Sequence, residues 1–114
     1  MRLPNAENAI VDRRKITHYL LSKTHPEGAP KAKFFESFGF TRPHHGVLRR
    51  ALLVHAATGI VIATNTTHFG TIYEVNGRIE SPDGANPWLL VVWMIDAGAD
   101  RPRLISAVPS EDKT

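Results

Sequence analysis

The first half of the chain spaces its apolar residues as a helix does. Ile16, Tyr19 and Leu20 lie at positions i, i+3 and i+4, which places them on one helical face. Asp12 is a favourable N-cap, because its carboxylate can accept hydrogen bonds from the free N–H groups of a first turn. The pattern therefore predicts a helix over roughly residues 13–22.

Two more helices are predicted in this half. Phe34 and Phe38 share a face and predict a helix over about residues 31–38, which Gly39 ends. A third apolar stripe predicts a longer helix that follows directly. Its predicted landmarks are the cap Thr41, the first-turn residue Pro43 and the final Gly59.

From residue 60 onward the pattern changes to β-branched and alternating residues. Turn sequences separate four predicted strands, and Asn65–Phe69 is predicted as a loop. The third strand is apolar at nearly every position, so we expect it inside the sheet and covered on both faces. The predicted strands are Ile60–Thr64, Gly70–Ile79, Trp88–Ile95 and Arg103–Val108.

Three helices followed by strands with short connections predict an α+β fold. The three N-terminal helices should pack on a C-terminal antiparallel sheet of about four strands. The chain has 114 residues, which suits a single domain. We expect a helical half over residues 1–59, a sheet over residues 60–109 and a frayed tail over residues 110–114.

The charge is distributed unevenly between these halves. Residues 1–59 carry ten Lys or Arg and four Asp or Glu, whereas residues 60–114 carry four and seven. A net charge of +6 on the helical half favours an anionic partner such as RNA, although a solvated helical surface would have the same composition. The candidate nucleic-acid contacts are Arg13, Arg14, Lys15, Lys33 and Arg101.

Other compositional features narrow the class of protein. The chain has no cysteine, which excludes disulfides, thiolate metal sites and thiol chemistry. The six histidines follow no recognisable metal-ligand spacing, so we expect neither metal nor cofactor. No apolar run is long enough to span a membrane and no signal peptide is present, which favours a cytoplasmic protein.

The stretch from His25 to Phe35 is the best candidate for chemistry. Prolines and Gly28 predict a stiff turn that places an imidazole close to two ammonium groups. His25 can act as a general acid or base, and Lys31 can stabilise a pentavalent phosphate transition state. The alternative is a turn histidine that bonds the backbone, beside solvated lysines.

Three residues of the predicted sheet are further candidates. Arg103 can contact phosphate, Ser106 can bond substrate and Tyr73 can stack on a base or donate a proton. Ser106 and Tyr73 also have a structural interpretation, as core residues whose hydroxyl groups are hydrogen-bonded. Strand alternation predicts that Arg103 and Ile105 share one face, while Leu104 and Ser106 share the other.

Several short motifs run in order over nearly the whole chain. They are Leu3-Pro4-Asn5-Ala6, Tyr19-Leu20-Leu21, His25-Pro26-x-Gly28-x-x-Lys31-Ala32-x-Phe34-Phe35, Gly39-Phe40-Thr41, Phe69-Gly70-x-x-Tyr73-x-Val75-x-Gly77, Pro82-x-Gly84, Val92-Trp93 and Pro102-Arg103-Leu104-x-Ser106-Ala107-x-Pro109.

Together these motifs resemble a bacterial family catalogued as domain of unknown function 6883. Its pattern is similar to the small nuclease fold of barnase, EndoU-type, colicin-type and RelE-type toxins. The resemblance implies an RNA-directed toxin whose site would use His25, Lys31, Tyr73, Arg103 and Ser106. The chain departs from the pattern at Ala29-Pro30, where more polar residues are expected, and at Val108, where an aromatic residue is usual.

The hypothesis from the sequence is a small metal-independent ribonuclease, the toxin of a bacterial toxin–antitoxin or competition system. It would cleave RNA with the ribose 2′-hydroxyl as nucleophile and would have a cognate antitoxin or immunity protein. The alternative is a non-catalytic module that binds protein or nucleic acid, such as an antitoxin.

Overall fold

A computed structural model describes residues 1–113. Three N-terminal helices precede a four-stranded antiparallel sheet, which confirms the predicted α+β class. The strands follow one another in the order β1-β2-β3-β4, so each pairs with its neighbour in sequence. The elements are a 3-10 turn Ala6–Asn8, α1 Arg13–Lys15 continued by a π-helical segment Ile16–Leu20, α2 Ala29–Ser37, α3 His45–Thr58, β1 Ile60–Thr67, β2 Gly70–Arg78, β3 Trp88–Asp96 and β4 Arg103–Pro109.

The first helix differs from the prediction because it changes to π geometry after Lys15. Asp12 caps it as predicted, accepting from the N–H of Arg14 at 2.8 Å. In an α-helix the Leu21 N–H would bond the carbonyl of Thr17, and here that carbonyl accepts from the Arg42 Nε at 2.8 Å. The Leu21 N–H donates to Ile16 instead, at 2.8 Å, which widens the turn by one residue.

The other two helices also begin at residues that differ from the predicted ones. The α2 helix begins at Ala29, two residues before the predicted start, because the N–H groups of Ala29 and Ala32 already bond carbonyls of the preceding turn. The α3 helix begins at His45 rather than beside Thr41 and Pro43. The Thr41 hydroxyl lies 3.1 Å from Nδ1 of His44 and does not cap the helix.

Strand β1 continues to Thr67, so the prediction of a loop over Asn65–Phe69 is wrong for its first three residues. Pairing with β2 runs on to Thr67 opposite Gly70, and a two-residue turn of His68 and Phe69 joins the strands. The φ of Gly70 is 146°, and a Cβ there would lie 2.3 Å from the Ile95 carbonyl oxygen. A polar sequence extends the strand because glycine permits this tight hairpin.

The interior strand β3 is covered on one face only. Its buried positions Leu89, Val91 and Trp93 alternate with half-buried Leu90 and Val92. The prediction that both faces are covered is therefore wrong, because the helical residues of the core pack with the face that carries Val91 and Trp93. The second face is also apolar in composition, but its side chains are only half-buried.

A β-bulge in β4 changes which residues share a face. Ser106 pairs with Val92 whereas Leu104 pairs with Trp93, so Ile105 is an extra residue in the ladder. Arg103 pairs with Met94, which has the same parity as Val92. Arg103 and Ser106 therefore share a face, contrary to the strict alternation predicted from sequence.

One hydrophobic core joins the helices to the sheet. Side chains of the N-terminal half, including Leu20, Phe35 and Leu52, pack with Val91 and Trp93 of the sheet. The tail is docked at its start, where the Asn76 side chain donates to the Glu111 carbonyl at 2.9 Å. Residue 114, the end of the predicted frayed tail, lies outside the described residues. No helix within residues 1–113 has the length and hydrophobicity needed to cross a membrane.

Candidate active site

Tyr19 lies at the centre of a polar cluster beside β4. Its hydroxyl is 2.9 Å from the Ser106 hydroxyl, and its ring meets the His25 imidazole edge-on with centroids 5.0 Å apart. The ammonium groups of Lys15 and Lys31 lie 5.3 and 5.9 Å from the ring centroid. These five residues are called the Tyr19 cluster below, and they bring three separate chain segments to one half-buried place.

The turn between the π segment and α2 holds this geometry. Gly28 packs against Tyr19 so closely that a Cβ would lie 2.0 Å from the Tyr19 carbonyl oxygen. Only glycine allows this approach, and it brings His25 over the tyrosine ring. The sequence motif with Gly28 three residues after His25 therefore encodes a close contact between backbones.

The hydrogen bonds of His25 fix its tautomer. Its Nδ1 accepts from the backbone N–H groups of Glu27 and Gly28, each at 3.0 Å. Because Nδ1 acts as an acceptor, these hydrogen bonds favour the tautomer that carries its proton on Nε2. This arrangement opposes the predicted acid or base role of His25, since the imidazolium form would turn Nδ1–H toward two other N–H groups. The same geometry suits a hydrogen-bond donor that acts through Nε2–H.

The two lysines of the cluster bond the exposed edge of the sheet. Lys15 donates to the Ile105 carbonyl at 3.0 Å and Lys31 to the Ala107 carbonyl at 2.9 Å. Each ammonium has three donors, so these bonds leave two on each for a further acceptor. The lysines thus hold β4 and place two positive charges beside the Tyr19–Ser106 hydroxyl pair.

Arg103 lies on the same face as Ser106 but outside the cluster. Its guanidinium donates to both carboxylate oxygens of Asp96, at 2.8 and 3.1 Å. This pairing lowers the pKa of the Asp96 carboxyl and raises the pKa of Arg103, with the hydrogen bond as the largest cause in each case. Arg103 is therefore an exposed, internally paired cation.

Tyr73 is the predicted site residue that the fold separates most clearly from the others. It pairs with Trp93 on the core face of the sheet and packs against the hydrophobic core. Ser106 belongs to the opposite face by register. The structure thus brings together His25, Lys31 and Ser106 and leaves Tyr73 with a packing role.

The predicted nucleic-acid contacts fall into three groups. Arg13, Arg14 and Lys33 are exposed on the helices, as a phosphate contact requires. Lys15 belongs to the Tyr19 cluster. Arg101 donates from Nε to the Asn8 carbonyl at 3.0 Å and ties the β3–β4 connection to the N-terminal segment.

Sequence reasoning missed two residues that organise this region. The hydrophobic pattern places Tyr19 in an apolar helical stripe, although a buried tyrosine hydroxyl also requires a hydrogen-bond partner. Arg42 was not singled out, because its role depends on a contact with a carbonyl 25 residues earlier. Within residues 1–113, no three potential metal-ligating side chains converge.

A family model described as domain of unknown function 6883 matches residues 2–111 of the chain. The protein belongs to this DUF6883 family. The family resemblance seen in the sequence is thereby confirmed. A search of curated proteins found no match for this DUF6883 chain.

The DUF6883 chain also has a structural neighbour. It is similar to a chain in the structure titled contact-dependent growth inhibition toxin–immunity protein complex from Klebsiella pneumoniae 342. The TM-score is 0.72 at 14% sequence identity, and the match covers 94% of this chain and 97% of that chain. At this identity the likeness establishes a shared fold.

Proposed function

We propose that this DUF6883 protein is a small metal-independent endoribonuclease, acting in the bacterial cytoplasm as the toxin of a toxin–antitoxin or competition system. The observation that carries the proposal is the Tyr19 cluster. It gathers an imidazole, two ammonium groups and two hydroxyls, and the two hydroxyls come from residues 87 positions apart in the chain. Residues that can donate protons and offset negative charge are the groups that phosphate-ester cleavage requires.

The reaction follows from the donors available. The ribose 2′-oxygen attacks phosphorus while the bond to the 5′-oxygen breaks, which leaves a 2′,3′-cyclic phosphate. The 2′-hydroxyl proton passes to water by way of the Ser106 and Tyr19 hydroxyls. Lys31 gives an ammonium proton to the departing 5′-oxygen and regains it from solvent.

Charge develops on the phosphate oxygens as the pentavalent state forms. The Nε2–H of His25 donates to one of these oxygens, and the Lys15 ammonium offsets the remaining charge. Arg103, on the same face as Ser106, is a further phosphate contact once it exchanges its Asp96 partner for the substrate. Tyr73 has no role in this scheme because it packs in the core.

Two further observations support a role in a toxin system that acts on RNA. The helical half, which carries ten Lys or Arg against four Asp or Glu, supplies an attractive surface for RNA. The structural neighbour comes from a toxin–immunity protein complex, which supports a cognate antitoxin or immunity partner for this chain as well.

A binding module without catalysis is the second candidate, such as an antitoxin or immunity protein. The observation that favours it is that both lysines of the cluster already donate to β4 carbonyls. In that reading the cluster only braces the edge of the sheet.

Incubation of the purified protein with total bacterial RNA in excess EDTA distinguishes the two functions. The nuclease produces fragments ending in 2′,3′-cyclic phosphate, and a 2′-O-methyl substrate of the same sequence stays intact because its nucleophile is blocked. Intact RNA under all conditions, together with normal growth of cells that express the protein alone, would reject the nuclease in favour of the module.

A further inference from the structure

Arg42 is a fixed cation on the helical side of the molecule, apart from the Tyr19 cluster. Its side chain is exposed, and its Nε donates to the Thr17 carbonyl of the π segment at 2.8 Å. This bond uses one of five N–H groups and orients the guanidinium. The other four have no protein acceptor among residues 1–113.

Arg42 separates two lobes of a surface groove. One lobe has a volume of 360 Å³ and contains three further basic side chains, Arg13, His18 and His45. None of the described residues that line it carries a carboxylate. The second lobe has a volume of 650 Å³ and shares Arg42. Its one carboxylate, Glu36, is paired with Lys23 at 3.4 Å. Both lobes together are called the Arg42 groove.

The start of α3 adds to the positive potential of the first lobe. This helix of 14 residues has no side-chain cap and no acidic residue in its first turn. Its first residue, His45, lines the lobe, and Nδ1 of His45 is buried without a hydrogen-bond partner in the described chain. Unpaired N–H groups at a helix start favour an anion, and a buried imidazole nitrogen also requires a polar partner.

The second lobe leads to the turn that carries His25. Ser22 lines this lobe, and its Oγ accepts the backbone N–H of His25 at 3.2 Å. A chain of phosphate groups in the Arg42 groove would therefore end beside the Tyr19 cluster. Two lobes that share Arg42 offer room for several phosphate groups in a row, which suits an extended polyanion better than one isolated phosphate.

We propose that the Arg42 groove binds the phosphodiester backbone of single-stranded RNA and leads the strand to the Tyr19 cluster. The inference rests on the proposed function for the choice of RNA as the anion. Arg42 is the central phosphate ligand, with Arg13 and His45 on one side and Lys23 on the other. Contacts of this type set affinity and position rather than base sequence.

The test uses a short fluorescent 2′-O-methyl RNA, which cannot be cleaved, so that binding is measured independently of catalysis. Fluorescence anisotropy over a range of salt concentrations gives Kd and its salt dependence. We expect Arg42→Gln to weaken binding by about tenfold and to reduce the salt slope by about one. The matched control is Arg49→Gln, an exposed arginine of α3 outside the groove, which should bind like the wild type.

His45→Gln provides a second variant that leaves the bond between Arg42 and Thr17 intact. It should weaken binding several-fold. This result would therefore still test the groove if Arg42→Gln lowered the melting temperature and its weaker binding could be due to a loss of stability. Equal affinities for His45→Gln, Arg49→Gln and the wild type would overturn the proposal. So would displacement of the RNA by inorganic phosphate at an equal concentration of phosphate groups, because the site would then be one for free phosphate. If the groove variants bind RNA more weakly but the wild-type protein cleaves no RNA, the result would support the groove and reject the nuclease.

Discussion

The two edges of the sheet are held in different ways. Along β4, Ile10 exchanges backbone bonds with Pro102 and Leu104 at 2.7 and 3.0 Å, and Lys15 and Lys31 then bond the carbonyls that follow. Along β1, Val61 donates to the Met1 carbonyl at 2.8 Å, and the rest of the strand is exposed and uncharged. Lysines and covering segments are common protection for edge strands, and here they are concentrated at β4.

This difference shows that stability and chemistry are combined at one edge only. A lysine of the Tyr19 cluster both bonds the β4 backbone and provides charge to the proposed site. A substitution there changes two properties at once, so activity and melting temperature must be measured on the same variant. The β1 edge has no such double role, so substitutions there serve as controls that should change neither property.

The largest loss of stability at the β4 edge is expected from Gly28→Ala. The added Cβ would overlap the Tyr19 carbonyl oxygen, so the turn must move away from the sheet. We expect the free energy of unfolding to fall by about 3 kcal/mol, as for overpacking at a site that cannot relax. Urea denaturation measures it.

Gly46→Ala is the matched control for that substitution. No atom of the described residues 1–113 lies within 4 Å of a Cβ at Gly46 in α3, so alanine should stabilise the helix by about 0.5–1 kcal/mol. Equal effects of the two substitutions would show that the close contact at Gly28 does not hold the edge.

Lys31→Met tests the bond between a lysine and the edge directly. The variant keeps most of the aliphatic chain but removes the donor to the half-buried Ala107 carbonyl. We expect a loss of about 1–3 kcal/mol, because a shielded acceptor is left without its partner. The exposed neighbour on α2 gives the control, since Lys33→Met should change stability by less than about 0.5 kcal/mol. Indistinguishable melting temperatures would contradict the bracing role of Lys31.

The sequence predicted the helices, the strands and their order because hydrophobic spacing records which face of each element is buried. It did not predict the bulge at Ile105, which places Ser106 and Leu104 on opposite faces of the sheet. The rule of alternating faces assumes regular pairing, so it cannot detect an extra residue in the strand. The sequence pattern also missed the π segment and the bond that Arg42 makes to its Thr17 carbonyl, because neither leaves a mark in the hydrophobic spacing. His25 and Lys31 were found through their turn motif, whereas their convergence on Tyr19 required the tertiary structure.

The stability of the protein should depend on pH through His55, which joins helix α3 to strand β3. Its Nε2 is 2.8 Å from the Leu89 carbonyl, and burial lowers its pKa below the ordinary 6.5, against the opposing effect of hydrogen bonds to Leu89 and Gly77. Unfolded His55 therefore binds a proton more readily than folded His55. The contribution of neutral His55 to the free energy of unfolding should be fully present above pH 6.5. It should decline as the pH falls below that value.

Melting temperatures measured from pH 7.5 to pH 4.5 check this expectation. His55→Gln can still donate to Leu89 but does not titrate, so its melting temperature should fall less over the same interval. Parallel curves for the two proteins would assign the acid sensitivity to other groups.

The smallest effect is expected at the β1 edge. Ala63 is exposed and pairs with Glu74 of β2, so Ala63→Lys adds a cation opposite a carboxylate. Stability should change by less than about 0.5 kcal/mol, and RNA cleavage should match the wild type. A marked change in either property would show that the β1 edge has a role comparable to that of β4.

The most direct test of the central claim, that the Tyr19 cluster is catalytic, is RNA cleavage by His25→Asn with its melting temperature. An asparagine side-chain oxygen can accept the backbone N–H groups that His25 Nδ1 now accepts, which preserves the turn, but it removes the Nε2–H donor. Our account predicts cleavage reduced by about a hundredfold or more at a nearly unchanged melting temperature. Full cleavage by this variant would contradict it and leave His25 with a structural role alone.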